Sequence, residues 1–134
     1  MSRYIIGNKN DYYDGLRRVT DQGAWEPWIV YILNGVKVTA ESATAQIANI
    51  RIGLEQFRVE IATKAPKIYS LDLVQLLFQQ PCCRILDLEK AGITKRETAS
   101  KYLQTLADIG LLELRKVGTQ TLYLNQLLLK ILSN

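Results

Sequence analysis

Histidine is absent from this chain of 134 residues. That excludes an imidazole general base, a Ser-His-Asp triad and the usual His-containing zinc sites. Cysteine is nearly absent. The two present are neighbours, Cys82-Cys83, and no CxxC spacing occurs. Adjacent cysteines rarely meet disulfide geometry, so they read as two apolar thiols packed at a helix start. No catalytic residue, no metal site and no cofactor is expected. No apolar run approaches the roughly 20 residues of a membrane span. The N-terminus lacks the basic start and long apolar core of a secretory signal. A cytoplasmic location is therefore expected.

What is present describes a soluble globular chain: 48% hydrophobic and 22% charged residues. The length suffices for one ordinary core, or two small ones joined end to end. The formal net charge is +4. Residues 67–134 hold nine Lys/Arg against six Asp/Glu, and residues 1–66 hold eight against seven. The excess lies in the second half, although an imbalance this mild also suits an ordinary solvated surface.

Residues 2–20 carry an apolar stripe of Tyr4, Ile5, Tyr12, Tyr13, Leu16 and Val19 behind Ser2, a candidate cap. Gly7 and Gly15 weaken this helix, and a break is expected near Asn8–Asn10. Asp21-Gln22-Gly23 reads as a turn. Pro27 suits the first turn of the next helix, whose Trp25, Trp28, Ile29, Ile32 and Leu33 read as core rather than as a ligand pocket. Asn34-Gly35 reads as its end. Residues 36–64 are the most regular stretch. Val36, Ala40, Ala43, Ile47, Ile50, Leu54, Phe57 and Ile61 follow in alternating steps of four and three, a heptad seam on a long helix. The seam can pack on the helices before it or pair with a second subunit, and internal packing is the slightly favoured expectation. Pro66 closes the helix by disfavouring helical backbone at Ala65, which sets a domain boundary between 1–66 and 67–134.

The second half is organised around residues 94–123. Thr94 and Glu97 have capping-box spacing, and Ala99, Tyr102, Leu103 and Leu106 follow at helical intervals. Two strand-like runs come next, Leu111–Lys116 and Gln120–Leu124, around Val117-Gly118-Thr119. Short helices precede them: one capped by Ser70 and burying Leu73, Leu76 and Leu77, the other through Ile85, Leu86 and Leu88. A leucine-rich helix capped by Asn125 closes the chain. The fold class expected is mainly α: an N-terminal helical segment with a long helix, then a winged helix-turn-helix domain with a two-stranded β-hairpin wing.

The residues also carry a family resemblance across nearly the whole chain. In the first half they are Ser2-Arg3-Tyr4-Ile5-Ile6, Tyr12-Tyr13 with Leu16, and Trp25-Glu26-Pro27-Trp28 with Leu33 and Gly35-Val36. In the second half they are Tyr69, Leu77-Phe78, Pro81, Thr98-Ala99, Tyr102-Leu103, Leu106, Gly110-Leu111-Leu112, Gly118, and Tyr123 with Asn125. Together they resemble the C-terminal region of Fic-family proteins: the helices after the catalytic motif, and the winged-helix domain that closes many bacterial members. The resemblance implies a parent activity that transfers AMP to a protein hydroxyl through an HPFxxGNGRxGR motif. That motif is not in this chain, and no histidine exists to carry its base. A non-catalytic C-terminal portion of a Fic-type protein is thus expected, or else a fragment of an AMP-transferring enzyme.

A winged helix that reads duplex DNA lays its second helix in the major groove. The outward candidates are then Lys95, Arg96, Glu97, Ser100, Lys101, Gln104 and Thr105. Arg96 and Gln104 suit base edges, and Lys95 and Lys101 suit phosphates. Arg115, Lys116, Thr119 and Gln120 on the wing would reach the backbone or minor groove. The competing expectation is a protein-interaction module without nucleic acid. It would be a homodimer through the 36–61 seam or the Tyr12/Trp25 aromatic surface.

Overall fold

The structure is a computed structural model describing residues 1–133. Its helices and strands run α1 (Ser2–Gly7), α2 (Lys9–Gln22), α3 (Trp25–Lys64), α4 (Leu71–Gln79), β1 (Cys82–Cys83), α5 (Ile85–Lys90), α6 (Arg96–Asp108), β2 (Glu113–Val117), β3 (Gln120–Leu124) and α7 (Gln126–Ser133). Contacts divide the chain into two compact units, 1–47 and 48–134. That division falls inside α3, upstream of the boundary expected at Pro66. Among the described residues, no helix is long and apolar enough to cross a membrane.

In the first unit the expected break is at Asn8, which ends α1 and precedes α2. Its side-chain nitrogen donates to the Tyr4 carbonyl at 2.9 Å. Ser2 is not the cap expected of it. Met1 holds that position and Ser2 is the first helical residue. Aromatic rings tie α1 and α2 to α3: Tyr4 to Tyr31 with centroids 5.6 Å apart and Tyr12 to Trp28 at 5.4 Å, with Trp28 and Tyr31 stacked on each other along α3 at 5.7 Å.

Asn34-Gly35 does not end a helix; α3 runs through it as one element of 40 residues. Glycine is there for closeness rather than for a turn. A Cβ at Gly35 would lie 2.7 Å from the Met1 methyl and 2.8 Å from the Tyr4 ring. The roughly 1 kcal/mol that glycine costs a helix is outweighed by α1 lying directly on its backbone.

The aromatic segment is only partly core. Trp28 and Ile32 are half-buried, but Trp25 is 60% exposed, and Ile29, Leu33, Tyr13 and Leu16 are exposed as well. The heptad seam is split in the same way. Val36, Ala40, Ala43 and Ile47 face solvent, whereas Phe57 and Ile61 are buried. The last turns of the 36–61 seam thus already sit in a core.

That core belongs to the second unit. Phe57 and Ile61 pack with Leu73, Val74 and Leu77 of α4, Cys83, Leu88, Ala99, Leu103 and Leu106 of α6, and Leu112 and Tyr123. Ser70 caps α4 as expected, its hydroxyl oxygen accepting from the Leu73 N–H at 3.1 Å. At the head of α5, the Asp87 carboxylate accepts the Arg84 N–H at 2.8 Å. Thr94 is not the cap of α6. Lys95 occupies that position, with no side-chain cap bond. The Ile93 N–H is tied back to the Leu88 carbonyl at 3.1 Å, and the chain enters α6 one residue later than the Thr94/Glu97 pattern implies.

The two-stranded hairpin has a third strand beside it. The sheet order is β1-β3-β2, both pairs antiparallel. The extra strand is Cys82-Cys83, paired with Leu124 and Tyr123. The two thiols thus sit on a strand that leads into α5 rather than on the helix. Val117 pairs with Gln120, and Gly118 turns the chain at φ +61°, a backbone region that favours glycine.

Candidate nucleic-acid interface

The candidate surface is built on α6. Its inward side is Ala99, Leu103 and Leu106, all fully buried. The 3.6-residue period then puts Glu97, Lys101, Gln104 and Asp108 outward, and each is exposed; Arg96 is in register with the buried side and is exposed because it opens the helix. Lys95, just ahead of the helix, is exposed too, and Ser100 and Thr105 are half-buried at the margin. Lys95, Arg96 and Lys101 form no ion pair among the described residues. Glu97 and Asp108 lie on the same side of the helix, so the face is mixed in charge. Gln104 is engaged: its amide donates to Asp108 Oδ1 at 3.0 Å. Thr105 donates to the Lys101 carbonyl at 2.8 Å, which takes its hydroxyl proton out of use.

The wing separates its two cations. Leu114 pairs with Tyr123 and Lys116 with Thr121, so Lys116 lies on the side of the hairpin that carries the buried Tyr123. This is the side on which the helices pack. Side chains alternate along a strand, so Glu113, Arg115 and Val117 face the other way. Arg115 is also neutralised, with Nη2 3.1 Å from Glu113 Oε1. Glu113 is held in addition by the Gln126 amide. Of the wing candidates, Lys116 therefore shares a side with α6, Arg115 does not, and Thr119 and Gln120 are exposed at the tip.

One cation was not legible as part of this surface. Lys90 ends α5, the helix that packs against α6, and is exposed without an ion pair among the described residues. Its place in the last turn before Gly92 was the available signal, since the first helix of such a pair crosses the phosphate backbone.

Cys83 is no strong nucleophile. Burial pushes the Cys83 thiol up from its ordinary value near 9 to about 12, helped by the Asp87 carboxylate. A thiol that stays protonated is inert.

Helix, strand, helix, helix and hairpin, with β1 added on the β3 edge, define a winged-helix unit. Residues 54–128 match the family model described as "Protein adenylyltransferase SoFic-like, C-terminal domain". The chain belongs to this family and comprises the C-terminal portion of a Fic-type protein. The match starts at Leu54, inside α3, so it takes in Phe57 and Ile61, the two helix residues that the winged-helix core buries.

Proposed function

We infer that this chain is a non-catalytic C-terminal portion of a Fic-type protein whose winged helix binds double-stranded DNA. On this reading it works in the cytoplasm. The observation that carries the DNA reading is a set of exposed cations without ion partners among the described residues: Lys95 just ahead of α6, Arg96 and Lys101 on it, and Lys116 on the wing. Lys95, Lys101 and Lys116 would neutralise phosphates. Arg96 has the forked guanidinium suited to a guanine edge. The non-catalytic reading rests on the missing histidine and the missing HPFxxGNGRxGR motif.

Fluorescence anisotropy with mixed genomic duplex fragments at about 50 mM salt tests it, because electrostatic binding is strongest there. Binding that weakens with salt and is weaker in Arg96→Ala and in Lys101→Ala supports the reading. No anisotropy change overturns it. A second reading, a regulatory or assembly module without nucleic acid, is favoured by a different observation: the exposed apolar stripe of α3.

A further inference from the structure

Two carboxylates stand among the polar residues of α6, and their situations differ. Asp108 closes the helix and is engaged by the Gln104 amide at 3.0 Å. Glu97 is in the first turn. It is exposed and takes part in no ion pair among the described residues. The two lie about 16 Å apart along the axis at 1.5 Å per residue. A recognition helix touches base edges with its N-terminal residues, so Glu97 is at the reading end and Asp108 is not.

Ordinary surface decoration would pair Glu97 with Lys101. A glutamate four residues before a lysine is the favoured order for an ion pair on a helix, yet both are unpaired among the described residues. Their outward neighbours are already committed. Gln104 gives its amide to Asp108, and Thr105 gives its hydroxyl proton to the Lys101 carbonyl at 2.8 Å. Glu97 is thus an acceptor without a donor, set between the free donors Lys95 and Arg96 and the free donor Lys101.

Phosphates repel a carboxylate. The three cations outweigh that repulsion and bring the helix in, and Glu97 then gives up its water and needs a donor in the groove. In the major groove cytosine presents the N4 amino group. Guanine presents N7 and O6, thymine presents O4, and adenine sets N7 beside its amino group. We propose, resting on the DNA-binding reading above, that Glu97 sets the base preference of α6 by accepting a hydrogen bond from cytosine N4. Its part is discrimination more than affinity, because a site without cytosine there leaves a desolvated charge against acceptor atoms.

Selection from a duplex pool randomised over its central base pairs, using the full chain at about 50 mM salt, tests this. The protein should enrich cytosine at one position. In anisotropy titrations, replacing that cytosine should weaken binding at least about fivefold. Glu97→Ala should lose this difference while binding mixed fragments at least as tightly. Glu97 is exposed, so circular dichroism should show the helices intact. A merely structural role, such as support of the helix N-terminus, would lower the melting temperature and leave base preference unmoved, which overturns the proposal. So does weaker binding of Glu97→Ala to mixed fragments, or the loss in it of a preference for another base. A chain that binds duplex without any base preference overturns this inference alone. A chain that binds no duplex overturns the DNA-binding reading and this inference with it.

Discussion

The side-chain amide of Asn125 donates to the carbonyl of Leu77 at 3.1 Å, across 48 positions of sequence. Its oxygen accepts the Leu128 N–H at 3.1 Å, and its own backbone N–H donates to the Pro81 carbonyl at 2.8 Å. One buried asparagine thus ends α4, anchors the strand segment after it and starts α7. Replacing it with alanine leaves the Leu77 carbonyl and the Leu128 N–H unsatisfied in a dry site. Asn125→Ala is expected to cost about 2–4 kcal/mol, read as a lower urea midpoint with an unchanged m-value. Asn125→Asp keeps the acceptor but loses the donor, and should be least stable at neutral pH, where the carboxylate is charged.

Gly53 is buried in α3, and a Cβ there would lie 2.6 Å from Cδ1 of Ile131 on α7. Gly53→Leu should therefore overpack the contact and cost about 1–3 kcal/mol. Adding Ile131→Ala should recover part of that loss in thermal melts. If Gly53→Leu alone raises the melting temperature, α7 does not pack there as described.

The opposite facing of Arg115 and Lys116 gives an asymmetric expectation for duplex binding. Lys116→Ala should weaken affinity and flatten the log–log salt slope by about 1. Arg115→Ala should do much less, since Glu113 already holds that guanidinium at 3.1 Å. Lys95→Ala and Lys101→Ala should each behave like Lys116→Ala, whereas Arg96→Ala should weaken binding by about 1–3 kcal/mol and relax sequence preference. Salt titrations of all five variants decide it, and equal effects at 115 and 116 would contradict the strand register.

Alkaline pH should loosen the second unit. Cys83 ionises near 9 in an unfolded chain and is raised to about 12 here, chiefly by burial. The folded state then holds more protons between those values. Stability from this group is complete below about pH 9 and falls as pH climbs toward 12. Tyr123 is shifted upward as well, by burial and by Asp108, which adds to the loss in the upper part of that window. Urea midpoints measured from pH 8 upward should decline, and Cys83→Ala should decline less steeply. In the native protein a thiol reagent should label Cys82 first, because Cys83 is buried.

Much of the second unit is legible locally. The Ser70 and Asn125 caps, the α6 period and the glycine turn at 118 each act within a few residues, and the structure has all of them where the pattern puts them. The candidate cations were legible as outward positions for the same reason. Their availability was not, because ion pairing and strand facing depend on neighbours such as Glu113, Gln126 and Tyr123.

By itself, then, the amino-acid sequence determined the helical and hairpin elements of residues 67–134, and the lack of any histidine-based chemistry. Local backbone preference and capping suffice for the elements. Tertiary structure alone decided three further things. It made Cys82-Cys83 a strand, because its partner β3 lies about 40 residues away and two residues carry no period of their own. It carried α3 through Asn34-Gly35, because Tyr4 and Met1 need a residue without a side chain beneath them. And it divided one uniform heptad seam into a buried end at Phe57 and Ile61 and an open stretch from Val36 to Ile47, since periodicity specifies which side of a helix is apolar but not what comes to cover it.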